Sequence, residues 1–236
     1  MDFSELSRIL IMAMSWAFVN LKPGVGKSTT TVFLGQAFYE MGLKPLLVDA
    51  DSGRSSLAAY NRAGGLNWPV IGMDEPDLHR KIPDIDQGVD VVLIDVPQLE
   101  DHARIARGAM RYAETWILPV APSHYEVDRM FEPPRGAPDD SDRSLLKELL
   151  AEVQDMRNVP ADVAVLLNRT NRSKRTKSGP DAEVRGVLER EGFDVLETLI
   201  PYNDDKFRQA MIPKTPGTNA RKLAQELLAR RTEKLG

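Results

Sequence analysis

The stretch Leu21-Lys22-Pro23-Gly24-Val25-Gly26-Lys27-Ser28-Thr29 decides the fold of this chain. It follows the apolar run at residues 16–20 and opens a segment, residues 28–41, whose composition favours a helix. A strand, a glycine-rich turn, a Lys-Ser pair and a helix in this order are typical of a phosphate-binding loop. The glycines let the backbone curl so that successive N–H groups point at phosphate oxygens, and the helix N-terminus adds positive potential.

Two residues give this loop its particular character. Leu21 stands where the strict phosphate-loop pattern has glycine, and Lys22 adds a second lysine at the start of the loop. Lys27 is expected to reach the terminal phosphates, and the hydroxyl of Ser28 is expected to ligate Mg²⁺. We therefore predict a variant phosphate loop that binds a nucleotide together with Mg²⁺.

Length and composition narrow the class of protein. With 236 residues, 42% hydrophobic and 28% charged, the chain is long enough for one large folded α/β domain. The absence of cysteine excludes disulfides, thiolate chemistry, Fe–S clusters and cysteine zinc sites, and three scattered histidines argue against a histidine metal site. A net charge of −4 argues against a generally basic nucleic-acid binder and leaves room for a local basic patch.

The first residues of the chain stand apart from the predicted domain. Residues 1–13 are interpreted as an N-terminal extension, and residues 14–236 are expected to form a single phosphate-loop domain. The extension makes a poor signal peptide, because its charge comes late and no small-residue cleavage site comes after it. It is either a short amphipathic helix or the result of a start at Met12 or Met14. No apolar stretch approaches the ~20 residues that span a bilayer, so a cytoplasmic location is expected.

Apolar runs bounded by turn residues alternate with helical segments along the chain. The runs are continuous, as expected of strands covered on both faces, and lie at residues 16–20, 45–49, 69–72, 89–95, 115–120, 163–168 and 195–199. Helices are predicted at residues 28–41, 54–61, 77–82, 101–112, 143–155, 181–190 and 219–231. This alternation predicts an α/β fold with a doubly wound, mostly parallel sheet, helices on both faces and ligand loops at the carboxyl ends of the strands. The proline-rich stretch 133–142 is predicted to be an exposed loop.

Two of the predicted strands end in aspartates. Residues 46–51 read Leu-Leu-Val-Asp-Ala-Asp and end in Asp49 and Asp51, and residues 91–95 read Val-Val-Leu-Ile-Asp. Four apolar residues before a terminal Asp form the Walker B arrangement, in which Asp95 holds Mg²⁺ directly or through water. One such strand end is a weak signal, since many α/β strands finish at a capping Asp. In combination with the lysine-rich loop, it predicts nucleotide binding.

These features, together with Ile117-Leu118-Pro119-Val120-Ala121-Pro122-Ser123, resemble the ParA/MinD family of deviant Walker A ATPases. Within that family, Trp68-Pro69-Val70 followed by Leu78-His79-Arg80 is similar to the small ParA partition proteins that lack an N-terminal DNA-binding domain. The resemblance runs from about residue 14 to about residue 222. It implies a P-loop NTPase fold, ATP and Mg²⁺ as cofactors, and ATP hydrolysis as the reaction.

The resemblance also implies roles for individual residues. Lys22 matches the signature lysine that crosses a dimer interface to the partner's nucleotide, Asp51 the acid that orients or activates the attacking water, and Asp95 the Walker B acid. Asn168 and Pro201 occupy positions that contact adenine in relatives. The phosphate cradle and its Mg²⁺ ligand correspond to Gly24, Val25, Gly26, Lys27, Ser28 and Thr29. The implied homodimer depends on ATP, because a lysine from each subunit offsets the negative charge of two nucleotides held at close range.

Two departures from the family pattern are visible. Pro23 stands where relatives have glycine, so one potential phosphate donor is missing and φ is fixed near −65°. Either this amide is not essential and the proline stiffens the loop, or the presentation of Lys22 and the hydrolysis rate are altered. Ser52-Gly53 follows Asp51 where relatives often have Pro-Gln.

A basic run follows the predicted strand at residues 163–168. Residues 169–177 hold five basic residues and no acids, and the candidates for contacts with DNA phosphates are Arg169, Arg172, Lys174 and Arg175. A solvated loop is the alternative interpretation. The resemblance implies non-specific binding of double-stranded DNA, a nucleoid-associated location and a ParB-like centromere-binding partner that stimulates hydrolysis. The C-terminal helix has no Phe or Trp on its apolar face, so docking on the domain is favoured over membrane binding.

The sequence as a whole predicts a ParA-type partition ATPase that segregates a plasmid or chromosome. A MinD-like or cargo-positioning ATPase is the first alternative. An ATP-dependent metabolic enzyme on the same scaffold, such as an amidoligase, is the second, and a regulatory binding module with degraded hydrolysis is the third. Nucleotide-dependent DNA binding separates the partition ATPase from the metabolic enzyme.

Overall fold

Seven parallel strands form the centre of the computed structural model, which describes residues 13–21, 24–133, 144–170, 179–202, 215 and 217–235. The strands are β1 (Met14–Phe18), β2 (Pro45–Asp49), β3 (Val70–Gly72), β4 (Val91–Asp95), β5 (Thr115–Val120), β6 (Asp162–Thr170) and β7 (Ile200–Pro201). Their order across the sheet is β3-β2-β4-β1-β5-β6-β7. The doubly wound parallel α/β sheet predicted from the sequence is confirmed.

Helices connect these strands, because parallel strands need a crossover between them. In the described part of the chain they are α1 (Lys27–Glu40), α2 (Ser55–Arg62), α3 (Leu78–Ile85), α4 (Leu99–Tyr112), α5 (His124–Met130), α6 (Leu145–Asp155), α7 (Pro180–Arg190) and α8 (Asn219–Leu235). None of these helices combines the length and the apolar character that crossing a bilayer requires.

Successive residues of the central strands face opposite sides of the sheet. In β4, Val92 and Ile94 belong to one core cluster, whereas Val91 and Leu93 belong to the other. The first cluster includes side chains of α3, α4, α6 and α7, and the second includes side chains of α1 and α8. Because helices cover both faces, every residue of β4 is buried. This explains why the apolar runs in the sequence are continuous rather than alternating.

The direction in which strands are added to the sheet reverses beside β1. From β1 the chain passes to β2 on the far side of β4, and later it crosses from β4 past β1 to β5. The registers align Asp49 with Asp95 and Phe18 with Asp95, so the carboxyl ends of β2, β4 and β1 lie at one edge. A crevice for ligands forms at such a reversal in α/β sheets, and the candidate site lies at this edge.

The predicted strand at residues 195–199 is wrong in its extent. Pairing there is limited to an isolated bridge between Val195 and Val165, and β7 comprises the two residues that follow the predicted segment. The backbone N–H groups of Glu197 and Thr198 donate to the carboxylate of Glu226 in α8 at 2.6 and 2.9 Å. The Glu226 side chain therefore accepts hydrogen bonds from two backbone N–H groups that would pair with a neighbouring strand if β7 were longer.

Helix α5 has no counterpart in the prediction. It begins after Ser123, whose hydroxyl accepts a hydrogen bond from the N–H of Glu126 at 3.2 Å. Ser-x-x-Glu is a capping signal that the sequence contains, but a helix of seven residues is too short to show an apolar period. The predicted exposed loop at residues 133–142 lies, apart from Pro133, outside the described residues.

Candidate phosphate-binding site

The glycine-rich stretch forms a tight turn between β1 and α1. Gly24 and Gly26 have φ angles of 84° and 86°, in the left-handed region that glycine adopts without strain. Gly26 is the N-cap residue of α1, and its carbonyl accepts a hydrogen bond from the N–H of Thr30 at 3.0 Å. As a glycine it cannot cap the helix with a side chain. The first N–H groups of α1 are therefore suited to an external anion.

A cleft of about 440 Å³ lies at this helix end, a volume typical of small-molecule sites. The phosphate loop, the first turn of α1, the connection from β2 to α2 and the end of β6 all contribute to it. The lining residues are Gly24, Gly26, Lys27, Ser28, Thr29, Asp51, Ser55, Gln98, Arg169 and Tyr202. The first six were predicted from the sequence as phosphate, Mg²⁺ or water-activating residues, and the structure brings them together.

Lys27 is the first residue of α1 and is only 8% exposed. Burial lowers the pKa of its ammonium group, and the charges of Asp95 and Asp51 oppose that shift. A buried cation gains free energy from any anion that offsets its desolvation. Lys27 therefore favours a phosphate group in the cleft.

Asp95 ends β4 and is 1% exposed. Burial raises the pKa of its carboxyl group to about 6, and hydrogen bonds from Ser28 and Ser56 oppose this shift. The hydroxyl of Ser56 donates to Oδ2 at 2.7 Å, whereas Oδ1 has no hydrogen-bond partner among the described residues. An unpaired buried carboxylate oxygen is costly, and a hard cation such as Mg²⁺ satisfies it well. Asp95 and the Ser28 hydroxyl thus fit a Mg²⁺ site.

The two acids at the end of β2 have different surroundings. Asp49 is fully buried, and it accepts hydrogen bonds from the N–H groups of Leu57 at 2.9 Å and Asp51 at 3.2 Å. Burial raises the pKa of Asp49, and these backbone hydrogen bonds oppose the shift. Asp51 is partly exposed, lines the cleft and accepts the N–H of Gly53 at 2.9 Å. Asp49 therefore anchors the start of α2, and Asp51 is the carboxylate available to a ligand.

The connection from β2 to α2 holds a contact that sequence reasoning missed. Arg54 has a φ of 50°, which is left-handed for a residue with a side chain, and its guanidinium donates to Asp74 at 2.6 Å. A Cβ on Gly72 would lie 1.7 Å from Nη1 of Arg54, so the guanidinium lies directly against the end of β3. Because Gly72 has no side chain, Arg54 can lie against the end of β3 and so connects the turn that follows Asp51 to this neighbouring strand. No local pattern signals this contact, because Arg54 and Asp74 are 20 residues apart.

The end of β6 packs against the phosphate loop. The side-chain amide of Asn168 donates to the carbonyl of Val25 at 2.8 Å and to the hydroxyl of Thr30 at 3.0 Å. Asn168 is fully buried and does not line the cleft. Pro201 is buried in β7, and the neighbouring Tyr202 lines the cleft. The adenine contacts of Asn168 and Pro201 stay predictions.

Arg169, predicted as a DNA contact, lines the cleft. Its Nη1 donates to the carbonyl of Gly24 at 2.5 Å, and its guanidinium lies 4.9 Å from the centroid of the Tyr202 ring. The remaining predicted residues lie outside the described part of the chain: Lys22 with its neighbour Pro23, and the DNA contacts Arg172, Lys174 and Arg175.

Comparison with known proteins places this geometry in context. Residues 16–211 match the family model described as the CobQ/CobB/MinD/ParA nucleotide binding domain. The comparison with curated protein sequences gave no match.

Three solved structures illustrate the similarity. Cobyrinic acid a,c-diamide synthase from Mycobacterium smegmatis with bound ADP and magnesium has a TM-score of 0.68 and 19% identity, covering 94% of this chain and 96% of that one. A putative plasmid partition protein from Borrelia burgdorferi B31 bound to AMPPNP has a TM-score of 0.63 and 15% identity, covering 94% and 100%. The septum site-determining protein MinD from Pyrococcus horikoshii, complexed with Mg-ADP, has a TM-score of 0.62 and 21% identity, covering 95% and 98%. At these identities the likeness shows a shared fold.

Proposed function

We propose, from the premise that this chain belongs to the CobQ/CobB/MinD/ParA family of nucleotide-binding domains, that it is a ParA-type partition ATPase. It binds ATP with Mg²⁺, forms an ATP-dependent homodimer, binds double-stranded DNA without sequence preference and segregates a plasmid or chromosome with a ParB-like partner. One observation supports the nucleotide-binding part of this proposal most directly. Beside the glycine loop and Lys27 lies the buried carboxylate of Asp95, and its Oδ1 has no hydrogen-bond partner among the described residues.

The predicted site residues have defined tasks in this proposal. The N–H groups of the loop and the ammonium of Lys27 bind and orient the phosphates. Ser28 and Asp95 would hold Mg²⁺, which supplies charge that offsets the negative charge of the phosphates. Asp51 faces the cleft from the side of β2 and orients the attacking water. Asn168 and Pro201 remain the proposed adenine contacts.

Dimerisation, DNA binding and the role in segregation are supported by the sequence and by a protein of similar structure. Lys22 supports dimerisation, because a lysine from each subunit would offset the charge of the nucleotide bound by the other. The basic run at residues 169–177 supports binding to DNA phosphates. A putative plasmid partition protein among the similar structures supports the role in segregation.

The ATPase activity is tested by replacing Asp51. We expect Asp51→Asn to lower ATP turnover at least ~100-fold, because a carboxylate that positions or activates water contributes about this much. The affinity for a fluorescent ATP analogue should change little, since the phosphate loop is intact. Phosphate release and fluorescence titration measure the two quantities.

Asp84→Asn is the matched control, because Asp84 lies exposed in α3 away from the cleft-lining residues. An Asp51→Asn variant with the turnover of the wild-type protein would refute the role of Asp51. A wild-type protein that neither binds nor hydrolyses ATP would refute the proposed function itself.

Two of the three alternative functions make different predictions. A MinD-like ATPase would float with lipid vesicles in the presence of ATP, and an ATP-dependent amidoligase would bind ATP without acquiring affinity for DNA. Vesicle flotation and a DNA titration, each done with and without ATP, therefore separate these two from the partition ATPase.

A further inference from the structure

We propose that Asn168 and Arg169 hold the phosphate loop in its phosphate-binding conformation by hydrogen bonding to two consecutive loop carbonyls. Arg169 is then a positioning residue for phosphate binding. This inference rests on the proposed function only in taking a nucleotide as the ligand. It gives Arg169 a role at the nucleotide cleft in place of the DNA contact that the basic run predicts.

The contacts come from adjacent residues and end on adjacent carbonyls. Arg169 donates through Nη1 to the carbonyl of Gly24, and Asn168 donates through Nδ2 to the carbonyl of Val25. The Asn168 hydrogen bond is fully buried, whereas the Arg169 hydrogen bond is charge-assisted and lies at an exposed position. The end of β6 thus holds two successive peptide units of the loop.

Peptide geometry links these carbonyls to the phosphate-binding groups. In a planar trans peptide, the C=O of one residue and the N–H of the next point in opposite directions. Holding the carbonyls of Gly24 and Val25 toward β6 therefore turns the N–H groups of Val25 and Gly26 away from β6. Successive N–H groups turned to the same side of a loop with left-handed residues form an anion-binding nest. Gly24 and Gly26 both have the left-handed φ that such a nest requires.

The surroundings of Arg169 show that its position is strongly determined. Its backbone has a φ of 60°, a conformation that costs a residue with a side chain about 1 kcal/mol or more. Its N–H donates to Oδ1 of Asn168 at 3.0 Å, and the face of Tyr202 supports its guanidinium. These contacts hold the strained residue with its guanidinium against the loop. Strain of this kind is concentrated at functional sites.

Gly26, the loop residue after Val25, packs against the same two side chains. A Cβ on Gly26 would lie 2.8 Å from Nδ2 of Asn168 and 3.9 Å from Cγ of Arg169. The loop and the end of β6 are therefore in direct contact, and no side chain fits between them. A displacement of either residue is transmitted to the loop backbone.

The test compares a nucleotide with a ligand that has no base. We would titrate the full chain, in the presence of Mg²⁺, with a fluorescent ADP analogue and then displace that analogue with pyrophosphate. Arg169→Ala should weaken both ligands by the same factor, about 10-fold, because one charge-assisted hydrogen bond is lost at the loop that both ligands share. Arg169→Lys, which keeps a donor and a charge, should recover part of the loss.

Arg190→Ala is the matched control, because it removes the same charge from an exposed position at the end of α7 that does not line the cleft. It should bind both ligands as the wild-type protein does, and the thermal midpoint of ligand-free Arg169→Ala should match that of the wild type. Weakening of the ADP analogue alone would mean that Arg169 contacts the base, and equal loss in Arg190→Ala would mean a general charge effect. Either result, or unchanged affinity in Arg169→Ala, overturns the inference. A wild-type protein that binds neither ligand would refute the proposed function instead.

Discussion

Gly26 is the residue at which the phosphate loop least tolerates a side chain. An added Cβ would meet Nδ2 of Asn168 at 2.8 Å, and its φ of 86° costs other residues about 1–2 kcal/mol. We expect Gly26→Ala to displace Asn168 from the loop and to weaken binding of a fluorescent ATP analogue at least ~10-fold. Fluorescence titration in the presence of Mg²⁺ measures the effect.

Gly42 is a natural control for this substitution. It follows α1 with the same φ of 86°, but no atom of the described residues lies within 4 Å of a Cβ added there. Gly42→Ala therefore introduces the same backbone strain without touching Asn168. If both variants lost the same affinity, strain alone would explain the loss and the contact with Asn168 would be irrelevant.

Ser56 positions the carboxylate of Asp95, and its removal should be felt in stability and in Mg²⁺ dependence. Its hydroxyl is fully buried and donates to Oδ2 of Asp95 at 2.7 Å. Ser56→Ala should lower the free energy of unfolding of the ligand-free protein by about 1–3 kcal/mol, because it leaves a buried carboxylate with one donor fewer. It should also raise the Mg²⁺ concentration needed for half-maximal nucleotide binding. Urea unfolding and a Mg²⁺ titration test the two effects.

Thr232→Ala provides the comparison, since it removes a hydroxyl from an exposed position on α8. Its unfolding free energy and its Mg²⁺ dependence should remain close to those of the wild-type protein. The positioning role is wrong if Ser56→Ala behaves in the same way as Thr232→Ala.

The residues of the site differ in how far their roles could be predicted from the sequence. Lys27, Ser28 and Asp95 were predicted because their types stand at fixed places in a local strand–loop–helix order. Ser56 and Arg54 could not be predicted, because their contacts reach β4 and the end of β3, which are distant in the chain. The sequence also offered Arg169 as a member of a basic run, whereas the structure places its guanidinium against Gly24 and Tyr202.

At the scale of elements, α8 is attached to β6 by a cluster of charged side chains, in which Arg230 contacts Asp162 and Asp194 and Lys234 contacts Asp162. Arg230 donates to both carboxylate oxygens of Asp162 in β6, at 2.5 and 2.7 Å, and both side chains are largely buried. Burial tends to raise the pKa of Asp162, but the hydrogen bonds from Arg230 and Lys234 outweigh it and lower the pKa. A carboxyl group whose pKa is lower in the folded state stabilises the fold above its unfolded pKa of about 3.9. That stabilisation is lost as the pH falls through the folded value.

We therefore expect Arg230→Gln to lower the free energy of unfolding by about 2 kcal/mol at pH 7. The difference from the wild-type protein should stay constant down to about pH 5 and should narrow below about pH 4, as the pH falls toward the lowered pKa of Asp162. Urea unfolding at a series of pH values measures this difference.

Lys81→Gln, at an exposed ion pair with Glu75, should leave the unfolding curve unchanged. A difference between Arg230→Gln and wild type that persisted undiminished in acid would show that the charge of Asp162 is not responsible.

The elements themselves were largely predictable, for a physical reason that also explains the exceptions. Continuous apolar runs report strands buried on both faces, and β4 with its fully buried residues shows that pattern clearly. The segment at residues 195–199 has the same composition, yet Glu226 of α8 takes two of its N–H groups. A tertiary contact of this kind leaves no trace in local sequence.

At the scale of the whole molecule, the strand order and the site form one arrangement. The phosphate loop follows β1, and β4 and β2 are the next two strands on one side of β1, so that Lys27, Asp51 and Asp95 converge although they are distant in the chain. The proposed homodimer adds Lys22, which the sequence predicts and which lies outside the described residues. In the proposed function, ATP is therefore the condition for assembly, and assembly is the condition for binding DNA.

A titration of arbitrary duplex DNA with the wild-type protein and Lys22→Ala, each with ATP, with ADP and without nucleotide, tests this claim most directly. The wild-type protein should bind DNA in the ATP state alone, with an affinity that falls steeply as salt is added, because contacts to phosphates release counterions. Lys22→Ala should bind ATP but fail to bind DNA. DNA binding of equal strength in all three nucleotide states, or full DNA binding by Lys22→Ala with ATP, would contradict the claim.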